Sequence, residues 1–145
     1  MSFMADCIKI YDAVYINGKL VGSESSHRTG KHCVVQARWA DGCGNIANNG
    51  EVRPGMVKYC VKHVLDLPSG ESKEHVFHVV EWYACFSGNI SVKPPYSVWC
   101  RKTINDGPSK YLPIQRVKCR CEWVNSYVGN QPVVIVSPIP CSLFL

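Results

Sequence analysis

Three cationic residues, Arg116, Lys118 and Arg120, occupy every second position of a segment whose polarity alternates. A β-strand directs such residues to the same side, so this spacing predicts a row of positive charge. A row of cations suits contact with nucleic-acid phosphates or with an acidic protein surface. An ordinary solvated strand face, or an edge strand kept from aggregating by its charges, is the alternative. Four further cations would widen the row if their strands pair nearby: Arg101, Lys102, Lys58 and Lys62.

Cysteine and histidine are the next candidates, either as metal ligands or for nucleophilic catalysis. The chain contains nine cysteines and five histidines. Structural zinc sites usually present closely spaced C-x2–4-C pairs, whereas the tightest pair here is Cys119-x-Cys121. A cysteine hydrolase would require Cys60 to meet His63, or Cys85 to meet His78, across strands. No nucleophile signature surrounds either pair. We therefore predict no metal, no cofactor and no enzymatic activity, and keep a Cys/His enzyme or zinc protein as the least favoured alternative.

The cysteine count also bears on the compartment. Nine is an odd number, and the first residues lack a basic segment followed by an apolar run and a cleavage site. These features favour reduced thiols, buried as small hydrophobic side chains, in a nuclear or cytoplasmic protein that is not secreted. No segment approaches the roughly 20 apolar residues of a membrane helix, so no membrane contact is expected.

Aromatic residues are concentrated in the same alternating segments. Core packing is their usual role, but two or three together on a surface can hold a methylated lysine by cation–π attraction. Trp82 and Tyr83 are the candidate aromatic contacts in this chain.

Apolar and polar residues alternate with period two through most of the chain, and helical periodicity is scarce. This pattern predicts a mainly all-β fold, a small antiparallel β-barrel or rolled sheet of about seven strands. Val117, Cys119 and Cys121 should share one side of a strand, and the region 75–86, apolar on both faces, should be central. The seven predicted strand regions are 9–16, 32–39, 56–67, 75–86, 96–103, 112–124 and 132–137, and residues 19–22 could form a short return strand after the Asn17-Gly18 turn.

Length and composition fit a single globular unit. The chain has 145 residues, of which 46% are hydrophobic and 19% charged, and domains of about 100–150 residues are common. We expect one β-rich binding domain over residues 1–145, with its core at about 8–137. The net charge of +5 gives a mild preference for anionic partners.

Four segments resemble parts of the bromo-adjacent homology (BAH) family, a β-rich module of chromatin proteins. An opening strand YDAVYI, a strand led by Pro54, a V-V-E-W-Y strand ending at Tyr83 and the closing LPIQRVKCRC follow the family's order. Similar Pro-Gly, Trp-Tyr and PIQR segments are also found in uncharacterised proteins of animal mobile elements. Both resemblances imply a nuclear setting close to DNA.

Some BAH members bind methylated histone lysine in an aromatic cage. Trp82 matches the strand tryptophan of that cage, but Ala84 and Gly55 stand where further aromatic residues are expected. The resemblance therefore implies chromatin or protein interaction without a complete cage at the family position.

The sequence thus favours a non-enzymatic, chromatin- or DNA-associated binding module that contacts phosphate or an acidic protein surface through basic residues. A protein–protein interaction adaptor is the alternative. The expected partners are DNA, a nucleosome or another protein, and no small-molecule substrate is indicated.

Overall fold

The computed structural model describes residues 6–16, 18–24, 30–38, 52–88, 90, 92–104 and 110–139. Within these ranges the chain forms ten strands and two short 3₁₀ turns, Gly30–His32 and Ile114–Arg116, and no α-helix. The mainly β fold is confirmed. The strands are β1 (Asp6–Tyr11), β2 (Val14–Ile16), β3 (Lys19–Val21), β4 (Val34–Arg38), β5 (Val52–Asp66), β6 (Ser72–Cys85), β7 (Ser97–Ile104), β8 (Tyr111–Pro113), β9 (Val117–Val128) and β10 (Gln131–Pro138).

The expectation of about seven strands was wrong because two predicted strands are each divided. The region 9–16 forms the end of β1 and then β2, and the region 112–124 forms β8, a 3₁₀ turn and β9. The predicted turn before β3 contains Gly18, whose φ is 78°, a value that glycine adopts without steric cost. Asn17 of that turn and Trp39 of a predicted strand lie outside the described residues.

The large sheet has the strand order β1-β5-β4-β9-β10-β7-β6-β8, and β5 additionally pairs with β6. The extra pairing joins β5, β4, β9, β10, β7 and β6 into a ring-like arrangement of antiparallel strands. A separate hairpin, β2–β3, packs beside it. The backbone N–H groups of Gly22 and Glu24 tie the chain after this hairpin to the carbonyls of His32 and Val57.

Strands β5 and β6 are the longest, with 15 and 14 residues, and they extend beyond the ring. Their outer parts, residues 59–66 and 72–79, are flanked by β1 on one side and by β8 on the other. We call these four segments the outer sheet. Gly70, at φ 87°, lies in the turn that connects β5 to β6.

Two groups of buried residues stabilise the fold. The ring cluster has buried residues from β4, β6, β9 and β10, among them Val34, Tyr83 and Val134, and the partly buried Met56 of β5 and Trp99 of β7 pack against them. The cover cluster lies on the other face of β4, β5 and β6, where Val57, Val80 and Trp82 pack with Val21 of the hairpin. None of the described helical segments has the length and apolar character of a membrane-crossing helix.

Candidate functional site

The expected row of Arg116, Lys118 and Arg120 is not formed. Arg116 belongs to the 3₁₀ turn that precedes β9. On β4, Gln36 lies opposite Cys119 and Ala37 opposite Val117, so a bulge leaves Lys118 without an opposite residue. A bulge changes which face the following side chains point to. The same bulge places Val117 in the cover cluster and Cys119 and Cys121 in the ring cluster, so the buried residues of β9 do not share one side either.

Two of the predicted cations form ion pairs with carboxylates. Lys58 pairs with Glu24 and lies 3.9 Å from an oxygen of Glu81. The hydrogen bond to Glu24 raises the pKa of Lys58. Lys62 lies 2.5 Å from an oxygen of Glu74. These carboxylates would compete with a phosphate for both ammonium groups.

The three arginines donate to backbone carbonyls. Arg116 Nη2 lies 3.0 Å from the Arg38 oxygen, and Arg120 Nη1 lies 3.0 Å from the Leu20 oxygen. Arg101 Nη2 lies 2.6 Å from the Ser126 oxygen. Burial, and then the nearby charge of Arg38, lower the pKa of Arg116. A carbonyl does not neutralise a guanidinium, so these side chains both support the fold and keep their charge.

The predicted cations do not converge on one surface. Arg101 lies near Ser126, and at about 3.3 Å per residue the stretch from Arg116 to Ser126 spans about 30 Å. Lys102 and Lys118 are exposed. Arg101 and Lys102 line one open cleft of about 420 Å³ together with Gln131 and Pro132. The described cations therefore occupy at least two separate regions.

The candidate aromatic contacts lie in the core. Trp82 is 0% exposed and Tyr83 is 1% exposed, which leaves neither ring a free face for a ligand. Gly55 lies directly opposite Trp82, and a Cβ on Gly55 would be 3.1 Å from Trp82 Cε3. Glycine at this position thus provides space for the indole, and the expected use of Trp82 and Tyr83 as surface contacts was wrong.

The structure brings Cys60 opposite His78, a pairing that the sequence did not indicate. Both residues are fully buried. Burial raises the pKa of Cys60 to about 12 and lowers the pKa of His78 to about 4. A neutral thiol therefore faces a neutral imidazole, whereas nucleophilic catalysis requires a thiolate. Among the described residues, no group of three or more His, Cys, Asp or Glu is arranged to hold a metal ion.

Cys119 and Cys121 share the ring cluster. A hydrogen bond from Cys121 lowers the pKa of Cys119 to about 7, and the same hydrogen bond, together with burial, raises the pKa of Cys121. The Cys119 sulfur also lies 3.8 Å from the amide oxygen of Gln36. Both thiols are buried, so the acidic thiol of Cys119 has little access to solvent. The six described cysteines with resolved side chains are all free, whereas Cys43 and Cys141 lie outside the described residues.

One side of the outer sheet carries an apolar surface that the sequence analysis missed. Cross-strand pairing aligns its residues in three rows. Ile8 is 65% exposed, Ile10 66% and Tyr111 47%. The rows are Ile8–His63–His75, Ile10–Val61–Phe77–Pro113 and Tyr59–Val79–Tyr111. We call this surface the outer face.

A cleft of about 320 Å³ lies on the outer face, lined mainly by His63, His75, Phe77 and Tyr111. The ring of Phe77 meets that of Tyr111 edge-on, with centroids 5.9 Å apart. The two imidazoles are stacked with centroids 6.4 Å apart, and the Lys110 ammonium lies 5.1 Å from the centre of the Tyr111 ring. The alternation in residues 75–77 was a signal for this surface, but only the strand register assembles it.

Comparisons of the chain with protein-family models, with curated protein sequences and with solved structures find no match. The resemblance to BAH domains accordingly stays a prediction.

Proposed function

We propose that this chain is a non-enzymatic interaction module that binds a protein partner on its outer face. The observation that supports this proposal is a group of exposed side chains on the outer face, Ile8 and Ile10 of β1, Tyr59 of β5 and Tyr111 of β8, which lie around the half-buried Phe77 and the buried Val61 and Val79. Contiguous exposed apolar surface of this kind is typical of interaction sites. We also infer that the six-strand ring is a small β-barrel, because its strands pair in a closed cycle and the buried residues of four strands pack with the partly buried Met56 and Trp99 of the other two.

The dimensions of the outer face favour a macromolecule. Four strands about 4.8 Å apart give a surface about 14 Å wide, broader than its cleft alone. The 320 Å³ cleft is at the lower limit of the roughly 300–1,000 Å³ found for small-molecule pockets. The T-shaped pair of Phe77 and Tyr111 would give a partner side chain a rigid aromatic contact. Aromatic anchors of this type contribute strongly to protein interfaces.

Replacing Tyr111 with aspartate should strongly weaken this binding. Random peptides displayed on phage would be selected on the purified chain, and the dissociation constants of the enriched peptides measured by fluorescence anisotropy. Loss of an interface aromatic should weaken binding on the order of thirtyfold. Tyr96→Asp is the matched control, because Tyr96 is also exposed but lies outside the outer face. If both variants bind equally well, or if no peptide is enriched, the proposal is wrong.

Binding to phosphate remains the second candidate function, supported by the cleft beside Arg101 and Lys102 and the net charge of +5. Its test uses Lys102→Glu, since Lys102 is exposed, whereas reversing Arg116 or Arg120 would also remove hydrogen bonds within the fold. This variant should bind a fluorescent DNA duplex more weakly. Its log–log salt slope should be smaller by about 0.9 for each lost phosphate contact.

A Lys102→Glu variant that binds DNA like the parent chain would contradict the assignment of this lysine. Lys93→Glu, at an exposed position elsewhere, controls for the loss of net charge. If the parent chain fails to bind DNA even at low salt, phosphate recognition is excluded and only the protein-binding proposal remains.

A further inference from the structure

Strand β1 lies at the edge of the large sheet formed by the described residues. Within the described part of the chain, β1 pairs with β5 and with no other strand, and it ends the strand order of the large sheet. The backbone N–H and C=O groups on its other side therefore have no strand partner among the described residues. Such an edge accepts an extended segment of another chain, whose backbone then continues the sheet.

The two sides of β1 differ in chemistry. Ile8 and Ile10 point to the outer face and extend its apolar surface to the edge. Lys9 points to the opposite side and lies across from Lys62. Glu74 pairs with Lys62, whereas no ion pair of Lys9 is found within the described residues. The strand thus offers two apolar contacts on one side and a positive charge on the other.

This pattern selects the sequence of an added strand. Its side chains must alternate, with apolar residues against Ile8 and Ile10 and a carboxylate against Lys9. Opposite charges directly across a strand pair favour binding by up to about fivefold, and like charges disfavour it similarly.

A second copy of this chain fits the edge less well. A two-fold pairing of β1 centred on residue 9 would set two Lys9 ammonium groups against each other. A pairing centred on residue 8 would place Lys9 opposite residue 7, a cysteine, which provides no carboxylate.

We propose that β1 binds an extended segment of a protein partner as an additional strand, and that this segment alternates apolar and acidic residues. This inference rests on the proposed function, and it specifies the chemistry of the partner segment that the outer face would bind. The outer face would hold the apolar side chains, and the edge would hold the backbone.

The experiment uses two eight-residue probes, one alternating valine with aspartate and one alternating valine with lysine. The parent chain should bind the valine–aspartate peptide at least about threefold more tightly. Lys9→Glu should invert this preference, and circular dichroism should confirm that it leaves the fold intact. N-methylation of the peptide amides that face the edge should abolish binding, because it removes the backbone hydrogen bonds. NMR shift changes should fall on residues 8–10 and on the outer face.

Three outcomes would overturn the inference. If phage-selected peptides require Tyr111 but neither Lys9→Glu nor N-methylation affects the probes, the proposed function holds and strand addition fails. If no peptide of any pattern binds, both fail. If sedimentation shows a dimer that Ile8→Glu dissociates, a second copy occupies the edge.

Discussion

Replacing Trp82 with alanine should lower the free energy of unfolding by about 3–5 kcal/mol, the usual cost of removing a large buried aromatic side chain. The indole is fully buried in the cover cluster, where Val57 and Val80 pack with it. Gly55 lies against its ring, so the cavity would be bounded by backbone that cannot readily collapse. Urea denaturation followed by far-ultraviolet circular dichroism would measure the loss.

Tyr127→Ala is a suitable control, because Tyr127 is an exposed aromatic residue of β9. Surface substitutions usually change stability by less than about 0.5 kcal/mol. Loss of the contact between the Tyr127 ring and Arg101 should lower the free energy of unfolding by a similar further amount. A Trp82→Ala protein that unfolds at the same urea concentration as the parent would place Trp82 at the surface. The earlier hypothesis of an aromatic contact would then regain its basis.

Acidification should destabilise the chain through His78. Burial lowers the pKa of this histidine from 6.5 to about 4, and neither ring nitrogen has a hydrogen-bond partner among the described residues. Between these two values the unfolded state binds the proton more readily than the folded state, so stability falls as the pH falls. The contribution of neutral His78 to the free energy of unfolding is fully present above pH 6.5 and is lost by about pH 4. The pKa difference corresponds to about 3 kcal/mol.

The contribution of His78 to the pH dependence is isolated by measuring the free energy of unfolding of the parent chain and of His78→Leu at several pH values. At pH 7.5 the variant should be at least as stable, because leucine removes two buried polar atoms that lack partners. Its advantage should grow by about 3 kcal/mol as the pH falls from 6.5 to 4. His75→Gln, at an exposed position of the same strand, is the control for the removal of a histidine outside the core. Parallel profiles for the parent and His78→Leu would show that His78 is hydrated or hydrogen-bonded.

Much of the secondary structure could be predicted from the sequence, because alternation with period two directly reflects the geometry of a strand. The predicted regions 56–67 and 75–86 correspond to β5 and β6 within a few residues. The prediction that 75–86 is central holds for the part of β6 within the ring. It fails for the outer part, where Phe77 lies on the outer face, because one strand spans two environments.

The candidate site was less predictable, since it depends on register. The row of Arg116, Lys118 and Arg120 assumed an unbroken strand, but a 3₁₀ turn and a bulge interrupt it. The burial of His78 and its position opposite Cys60 also follow from pairing between β5 and β6, not from local sequence. The outer face needs four strands to be aligned before Ile10, Phe77 and Tyr111 become neighbours.

The sequence by itself thus determined that the chain is mainly β and where most strands lie, because these properties depend on residues close together in the chain. The tertiary structure alone decided which cations are neutralised, that Trp82 is a core residue and that β1 is an edge strand among the described residues. Those properties depend on contacts between distant segments, such as Lys58 with Glu24. A shift of one residue in strand register moves every side chain to the opposite face, and alternation within a single strand does not specify that register.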